Sequence, residues 1–188
     1  MKPYAVIALS GGLLCGSPVS RAQDVAAPGM SNVDMETPEG RQLEAQRKAI
    51  IKFLILSVLD ELLNINKTKR AMSAKEIVQR KVACMPMKFL KACPKDFRTV
   101  IQEWIDAAQG KDEIGRESYV LLNRRLEAVV EKYGIREALV KSRSWVLTDA
   151  SQPTRSMKLE DMEEHFKRLK DGLEAGTIEL PSQEAELE

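Results

Sequence analysis

The fold class of this chain is decided by residues 97–108, which read Phe97-Arg98-Thr99-Val100-Ile101-Gln102-Glu103-Trp104-Ile105-Asp106-Ala107-Ala108. The apolar side chains of this stretch fall at positions i, i+3, i+4, i+7, i+8 and i+11 without a gap, which is the period of one face of an α-helix. Gly110 follows two residues later and ends the run. The stretch therefore predicts a helix with one apolar face turned towards a core.

Upstream of this stretch, two further helices carry start signals. Thr37-Pro38 offers an N-cap and a first-turn proline for a helix that continues to about Asn64 and is apolar on several faces, as central helices are. Ser73-Ala74-Lys75-Glu76 has the spacing of a capping box, in which a hydroxyl and a carboxylate each satisfy a free backbone group.

Downstream, the helical period continues through three more segments. The first covers residues 114–133 and places Leu121 and Leu122 inside; the second covers 135–147, and the third ends at Gly176. Only residues 177–180 weakly resemble a strand. We predict an all-α protein, a single bundle of five or six helices over residues 37–176.

The two ends of the chain differ from this bundle in composition. Residues 1–22 have one lysine, an apolar run from Ala5 to Gly16 and small residues before Gln23, which is the layout of a secretory signal peptide cleaved after Ala22. An uncleaved anchor and lipidation at Cys15 are the alternatives; the run is short for a membrane span. Residues 23–36 are predicted to be a flexible leader, and residues 177–188 a loosely ordered acidic tail.

The charge of the predicted mature chain is balanced overall but segregated along its length. Loss of Lys2 and Arg21 takes the 29 basic side chains to 27 against 28 acidic ones, so the net charge moves from +1 to −1. Residues 67–98 carry ten basic against two acidic side chains, and residues 149–188 carry five against eleven. This balance argues against a nucleic-acid partner, while the segregation points to other charged partners.

Export leaves two cysteines, Cys84 and Cys93, and an exported chain with two cysteines favours a disulfide. Pro86 and Pro94 break helical continuity between them, so the chain is able to turn and bring the two thiols together. We predict a Cys84–Cys93 bridge, with two buried free thiols as the alternative.

Two segments are candidate interaction sites. The first is a basic patch for an anionic partner, interleaved with apolar side chains around the predicted disulfide turn. It consists of Lys88, Lys91, Lys95 and Arg98. The alternatives are a solvated connector whose apolar residues fold inward, or a patch covered by the acidic tail.

The second candidate site is a narrow apolar seam on the last helix, with spacings of 3, 4, 3 and 4 residues. It consists of Leu159, Met162, Phe166, Leu169 and Leu173. Docking on the chain's own bundle is one interpretation, and docking on a partner helix or in a homodimer through residues 159–173 is the other.

The sequence assigns no catalytic residue, cofactor or metal site. His165 is the sole histidine; it forms an i, i+4 pair with Asp161 and is expected to be solvated beside Glu164. Glu103 and Asp106 are a carboxylate pair that points away from the apolar stripe, so surface exposure is expected for both.

These observations favour an exported, non-enzymatic module of the bacterial envelope, periplasmic or secreted, that binds a protein or an anionic envelope component. No membrane span is expected after signal cleavage. One alternative is a helical hydrolase acting on cell-wall polymer, with Glu103 or Asp106 as the acid. A second is a small periplasmic chaperone.

Overall fold

The computed structural model describes residues 37–65, 73–109, 115–147 and 159–180, and these residues form seven helices and no strand. The all-α prediction is confirmed. The helix number exceeds the predicted five or six because the turn after Pro86 contains a helix of four residues. The helices are α1 (Pro38–Ile65), α2 (Ala74–Ala83), α3 (Met87–Leu90), α4 (Lys95–Ala108), α5 (Arg116–Lys132), α6 (Arg136–Leu147) and α7 (Leu159–Ala175).

Helix α1 is the centre of the bundle. The Thr37 hydroxyl accepts a hydrogen bond from the Gly40 amide at 3.0 Å, so the predicted N-cap is present. The helix packs against α2, α3, α6 and α7, with the most extensive contact to α7. Its apolar residues are needed on several faces because it has neighbours on several sides. The buried ones are Ile50, Ile51, Phe53, Ile55, Leu56 and Leu59.

The capping box at the start of α2 is confirmed. The Ser73 hydroxyl accepts from the Glu76 amide at 3.3 Å, and the Glu76 carboxylate accepts from the Ser73 amide at 2.8 Å. The two residues satisfy each other's free backbone groups, which fixes the point at which α2 begins.

Helix α4 buries the stripe predicted from its sequence and packs between α2 and α5.

The interior of α5 differs from the prediction at Leu121, whose exposed fraction is 53%. One residue turns a helix by about 100°, so Leu121 and Leu122 cannot both face the core squarely. Leu122 and Leu126, four apart, take the inner positions.

The chain turns back on itself after α7. Gly176 has a φ of +75°, the left-handed conformation that lets a helix end sharply. Ile178 then lies over Gly172, where a Cβ would stand only 2.4 Å from Ile178 Cδ1. Because of this close approach, Ile178 and Leu180 pack against the core. The first four residues of the predicted acidic tail thus lie against the bundle.

The predicted signal peptide (1–22), the leader (23–36) and the remaining tail residues 181–188 lie outside the described residues. Of the helices that are described, none combines the length and the hydropathy needed to cross a membrane.

Candidate functional site

The predicted basic patch lies at the surface where α3 joins α4. Lys91, Lys95 and Arg98 are exposed, and within the described ranges no ion pair joins any of the three to a carboxylate. Lys95 and Arg98 are three apart on the first turn of α4, so they share a face of that helix. The fourth predicted member differs, because Lys88 forms an ion pair with Glu174 of α7.

The apolar side chains interleaved with this patch are divided between surface and interior. Met87 is 44% exposed, whereas Met85, Phe89 and Leu90 are partly buried and pack against the core. Two ammonium groups lie over the Phe89 ring. That of Lys52 is 4.7 Å from the ring centroid, and that of Lys88 is 5.1 Å from it. Among the described residues, the patch therefore consists of three cations without an ion-pair partner beside the exposed Met87.

The predicted Cys84–Cys93 disulfide is wrong: both residues are buried free thiols. Cys84 Sγ lies 3.8 Å from Asn64 Nδ2, whereas Cys93 Sγ lies 3.6 Å from the Ala49 carbonyl oxygen. Asn64 and Ala49 are about four turns apart on α1, roughly 22 Å along its axis. The chain does turn at Pro86, but α3 then carries Cys93 away along α1.

Both thiols are held in their protonated form by their surroundings. Burial raises the pKa of the Cys93 thiol to about 12 and also raises the pKa of Cys84. A thiolate is the reactive form of cysteine, so neither residue has the environment of a nucleophile or redox centre.

The apolar seam of α7 is not available to a partner helix. Phe166, Leu169 and Leu173 are buried against the chain's own bundle, and Met162 packs beside them. The side chain of Leu159 is outside the described set. The homodimer interpretation of residues 159–173 is therefore wrong, because α1 already covers the seam.

His165 is buried, with an exposed fraction of 9%, and the expectation of a solvated side chain is wrong. Its Nε2 lies 3.2 Å from the Val146 carbonyl oxygen, and its Nδ1 lies 3.3 Å from Arg168 Nη2. A guanidinium can only donate, so Nδ1 accepts and Nε2 donates to Val146. His165 therefore joins α7 to the end of α6, and both ring nitrogens are occupied.

The carboxylate pair proposed for a hydrolase lies on the outer side of α4. Glu103 is half-buried and forms an ion pair with Arg125 of α5, while the exposed Asp106 accepts from Gln102 Nε2 at 2.8 Å. Glu103 borders an open groove of about 580 Å³ between α4 and α5. Arg125 holds one oxygen of this carboxylate, whereas the other, Oε2, is buried without a hydrogen-bond partner among the described residues, so the expected full exposure of Glu103 is wrong.

The same groove contains a cluster of Asp96, Lys132 and Tyr133. The Tyr133 hydroxyl donates to Asp96 Oδ1 at 3.0 Å, and Lys132 donates to Oδ2 of the same carboxylate. Burial alone would raise the pKa of Asp96, but these hydrogen bonds and one from the Phe97 amide together hold the pKa below its ordinary value. The cluster stabilises the start of α4 against the end of α5.

One polar site was missed by the sequence reasoning. Lys81 of α2 is only 4% exposed and donates to the Tyr119 hydroxyl at 3.1 Å. Its ammonium lies 5.6 Å from the Trp104 ring centroid and 5.3 Å from that of Tyr119. Lys81 follows Val78 by three residues, so helical spacing would have placed it on the buried face of α2.

Glu61 of α1 lies beside this lysine. Burial raises the pKa of Glu61, and the positive charges of Lys81, Arg80 and Arg143 offset only part of that effect. A cavity of about 30 Å³, the size of one water molecule, separates Glu61, Lys81 and Trp104. This space is too small for a substrate.

Comparisons with protein-family models, with curated proteins and with solved structures find no match for this chain.

Proposed function

We propose that this chain is a non-enzymatic binding module of the bacterial envelope, directed there by residues 1–22, and that its basic patch binds an anionic envelope component. The observation that supports this most directly is the set of three exposed cations without ion-pair partners within the described ranges, Lys91, Lys95 and Arg98. Elsewhere on α4 and α5, the charged residues Glu103 and Arg125 pair with each other.

The chemistry of the patch suits a surface with repeated negative charges. Each cation close to an anionic lipid surface contributes about 1 kcal/mol of attraction, and the attraction falls within a Debye length. Met87, exposed beside them, adds an apolar contact of the kind that interfacial proteins place at the headgroup boundary. Three such cations give weak, salt-sensitive binding.

The test is cosedimentation of the full chain with vesicles that contain phosphatidylglycerol, compared with purely zwitterionic vesicles. We expect binding to the anionic vesicles that is lost in the triple variant Lys91→Gln, Lys95→Gln, Arg98→Gln. A matched control removes three exposed cations elsewhere, by Arg116→Gln, Arg124→Gln and Lys167→Gln. If the control loses as much binding as the patch variant, net charge alone is responsible and the patch is not the site.

The other two hypotheses have less support. The carboxylates proposed for a hydrolase are paired, Glu103 with Arg125 and Asp106 with Gln102. A chaperone would expose apolar helix faces under some conditions, and the apolar face of α7 is largely buried in this structure.

A further inference from the structure

A cavity of about 310 Å³ lies between α1, α6 and the segment that follows α7. Its volume is at the lower end of the range for small-molecule sites, about 300–1,000 Å³. The turn at Gly176 and the close contact over Gly172 position the last part of its wall. The apolar lining residues are Ile51, Ile135, Ala138, Leu173, Ile178 and Leu180.

The polar part of the wall holds three cations and two carboxylates, Glu44 and Glu179. The cations are the adjacent Arg47 and Lys48 and, one turn further along α1, Lys52. Arg47 is fixed in place because its Nε donates to the Tyr133 carbonyl oxygen at 2.8 Å. Glu44 lies 3.9 Å from Arg47 and 3.8 Å from Lys48, at the outer limit of an ion pair.

One buried hydroxyl also lines the cavity. Ser142 of α6 is 1% exposed, and none of the other described residues forms a hydrogen bond with its side chain. Buried hydroxyl groups are normally hydrogen-bonded, because leaving one unpaired costs free energy. The Ser142 oxygen is not among the buried atoms that lack a partner, and the cavity that borders it gives it access to solvent or to a bound molecule.

We propose that this cavity binds a small amphipathic anion, an aliphatic carboxylate. The aliphatic body packs against the apolar wall, and the carboxylate is held by the cations of α1. Lys48 and Lys52 add positive charge to that of Arg47, although Lys48 lies 3.8 Å from Glu44 and the Lys52 ammonium 4.7 Å from the centroid of the Phe89 ring. Ser142 contributes a hydrogen bond to the bound molecule. This proposal does not depend on the function assigned to residues 88–98.

The test uses two probes that have similar alkyl chains and opposite charge, decanoate and decyltrimethylammonium. Each is titrated into the full-length protein by calorimetry. We expect the dissociation constant of decanoate to be at least about tenfold lower than that of the cationic probe. Such a ratio corresponds to one well-placed charge interaction. In NMR spectra, decanoate should shift the signals of residues lining the cavity, such as Ala138 and Ile178. Equal affinity for the two probes would overturn the proposal.

Variants distinguish the contribution of the lysine charges to binding from that of the cavity itself. Lys48→Gln with Lys52→Gln should weaken decanoate binding about tenfold, while Arg124→Gln with Lys167→Gln should leave it unchanged. Ser142→Ala should weaken binding without lowering the unfolding midpoint, a result that a merely structural role would not give. If decanoate fails to bind and removal of residues 181–188 shifts the cavity signals, the occupant is the chain's own C-terminal segment and the proposal is wrong.

Discussion

Two groups of the same three residue types, a carboxylate, a lysine and a tyrosine, differ chiefly in the depth of the lysine. In the first group Lys81 is only 4% exposed, while Glu61 and Tyr119 are partly buried. In the second group Lys132 is exposed, while Asp96 is partly buried and Tyr133 is 6% exposed.

The surroundings of the two carboxylates shift their pKa values in opposite directions. Desolvation dominates at Glu61 and raises its pKa, whereas hydrogen bonds outweigh desolvation at Asp96 and lower its pKa. Direct hydrogen bonds therefore stabilise the ionised form of Asp96, whereas the neighbouring positive charges do not compensate for the desolvation of Glu61.

Replacement of the two lysines should have very different consequences. Lys81→Ala should lower the free energy of unfolding by about 3 kcal/mol, because it removes a packed side chain and leaves buried polar groups without their partner. Lys132→Ala should change it no more than other surface substitutions do. Urea unfolding of both variants measures the difference.

A control for the Lys81 variant is Lys81→Met, which keeps most of the side chain's volume. We expect Lys81→Met to lose less stability than Lys81→Ala, since the contacts with Trp104 are retained. If Lys81→Ala and Lys132→Ala lower the stability equally, depth does not govern these groups.

The tyrosine hydroxyl groups should show the same order with smaller effects. Tyr119→Phe should cost about 1.5 kcal/mol, because the buried Lys81 ammonium loses a hydrogen-bond acceptor. Tyr133→Phe should cost about 0.5 kcal/mol, because Asp96 keeps its bonds to Lys132 and the Phe97 amide. Thermal unfolding checks the order, and a larger loss for Tyr133→Phe would contradict it.

The pH dependence of the two carboxylates should have opposite signs. Glu61 has a pKa raised above 4.5 in the folded protein, so its favourable contribution is present below pH 4.5 and is lost as the pH rises through the folded pKa. Asp96 has a pKa lowered from 3.8, so its contribution is present above that pH and is lost as the pH falls through the folded pKa.

Unfolding measurements of two variants between pH 3 and pH 7 test the opposite pH dependence of the two carboxylates. Glu61→Gln should be more stable than the natural chain at pH 7. The difference in their free energies of unfolding should narrow as the pH falls. Asp96→Asn should be less stable at pH 7, with a gap that closes in acid. The same sign for both variants at pH 7 would show that burial does not dominate at Glu61.

Local features of this fold could be predicted from the sequence, whereas contacts between helices could not. The Ser73–Glu76 capping box, the stripe of residues 97–108 and the stop at Gly176 depend on neighbours within a few residues, which the sequence shows directly. The exposure of Leu121 was misjudged because two adjacent leucines compete for one helix face.

The candidate sites depended on longer distances and were less predictable. The positions of Cys84 and Cys93 depend on where α3 crosses α1, and the burial of His165 depends on the Val146 carbonyl 19 residues away. The cavity beside α1 joins residues from both ends of the described chain, such as Lys48 and Leu180, so no local pattern indicates it.

The most extensive helix contact, between α1 and α7, joins segments far apart in the sequence. Helix α1 ends more than a hundred residues before the end of α7, so one side of its apolar surface has no cover until the last helix is in place. The core closes only when Phe166, Leu169 and Leu173 arrive. Folding is therefore completed late, and a chain that stops before residue 159 would leave α1 open to aggregation.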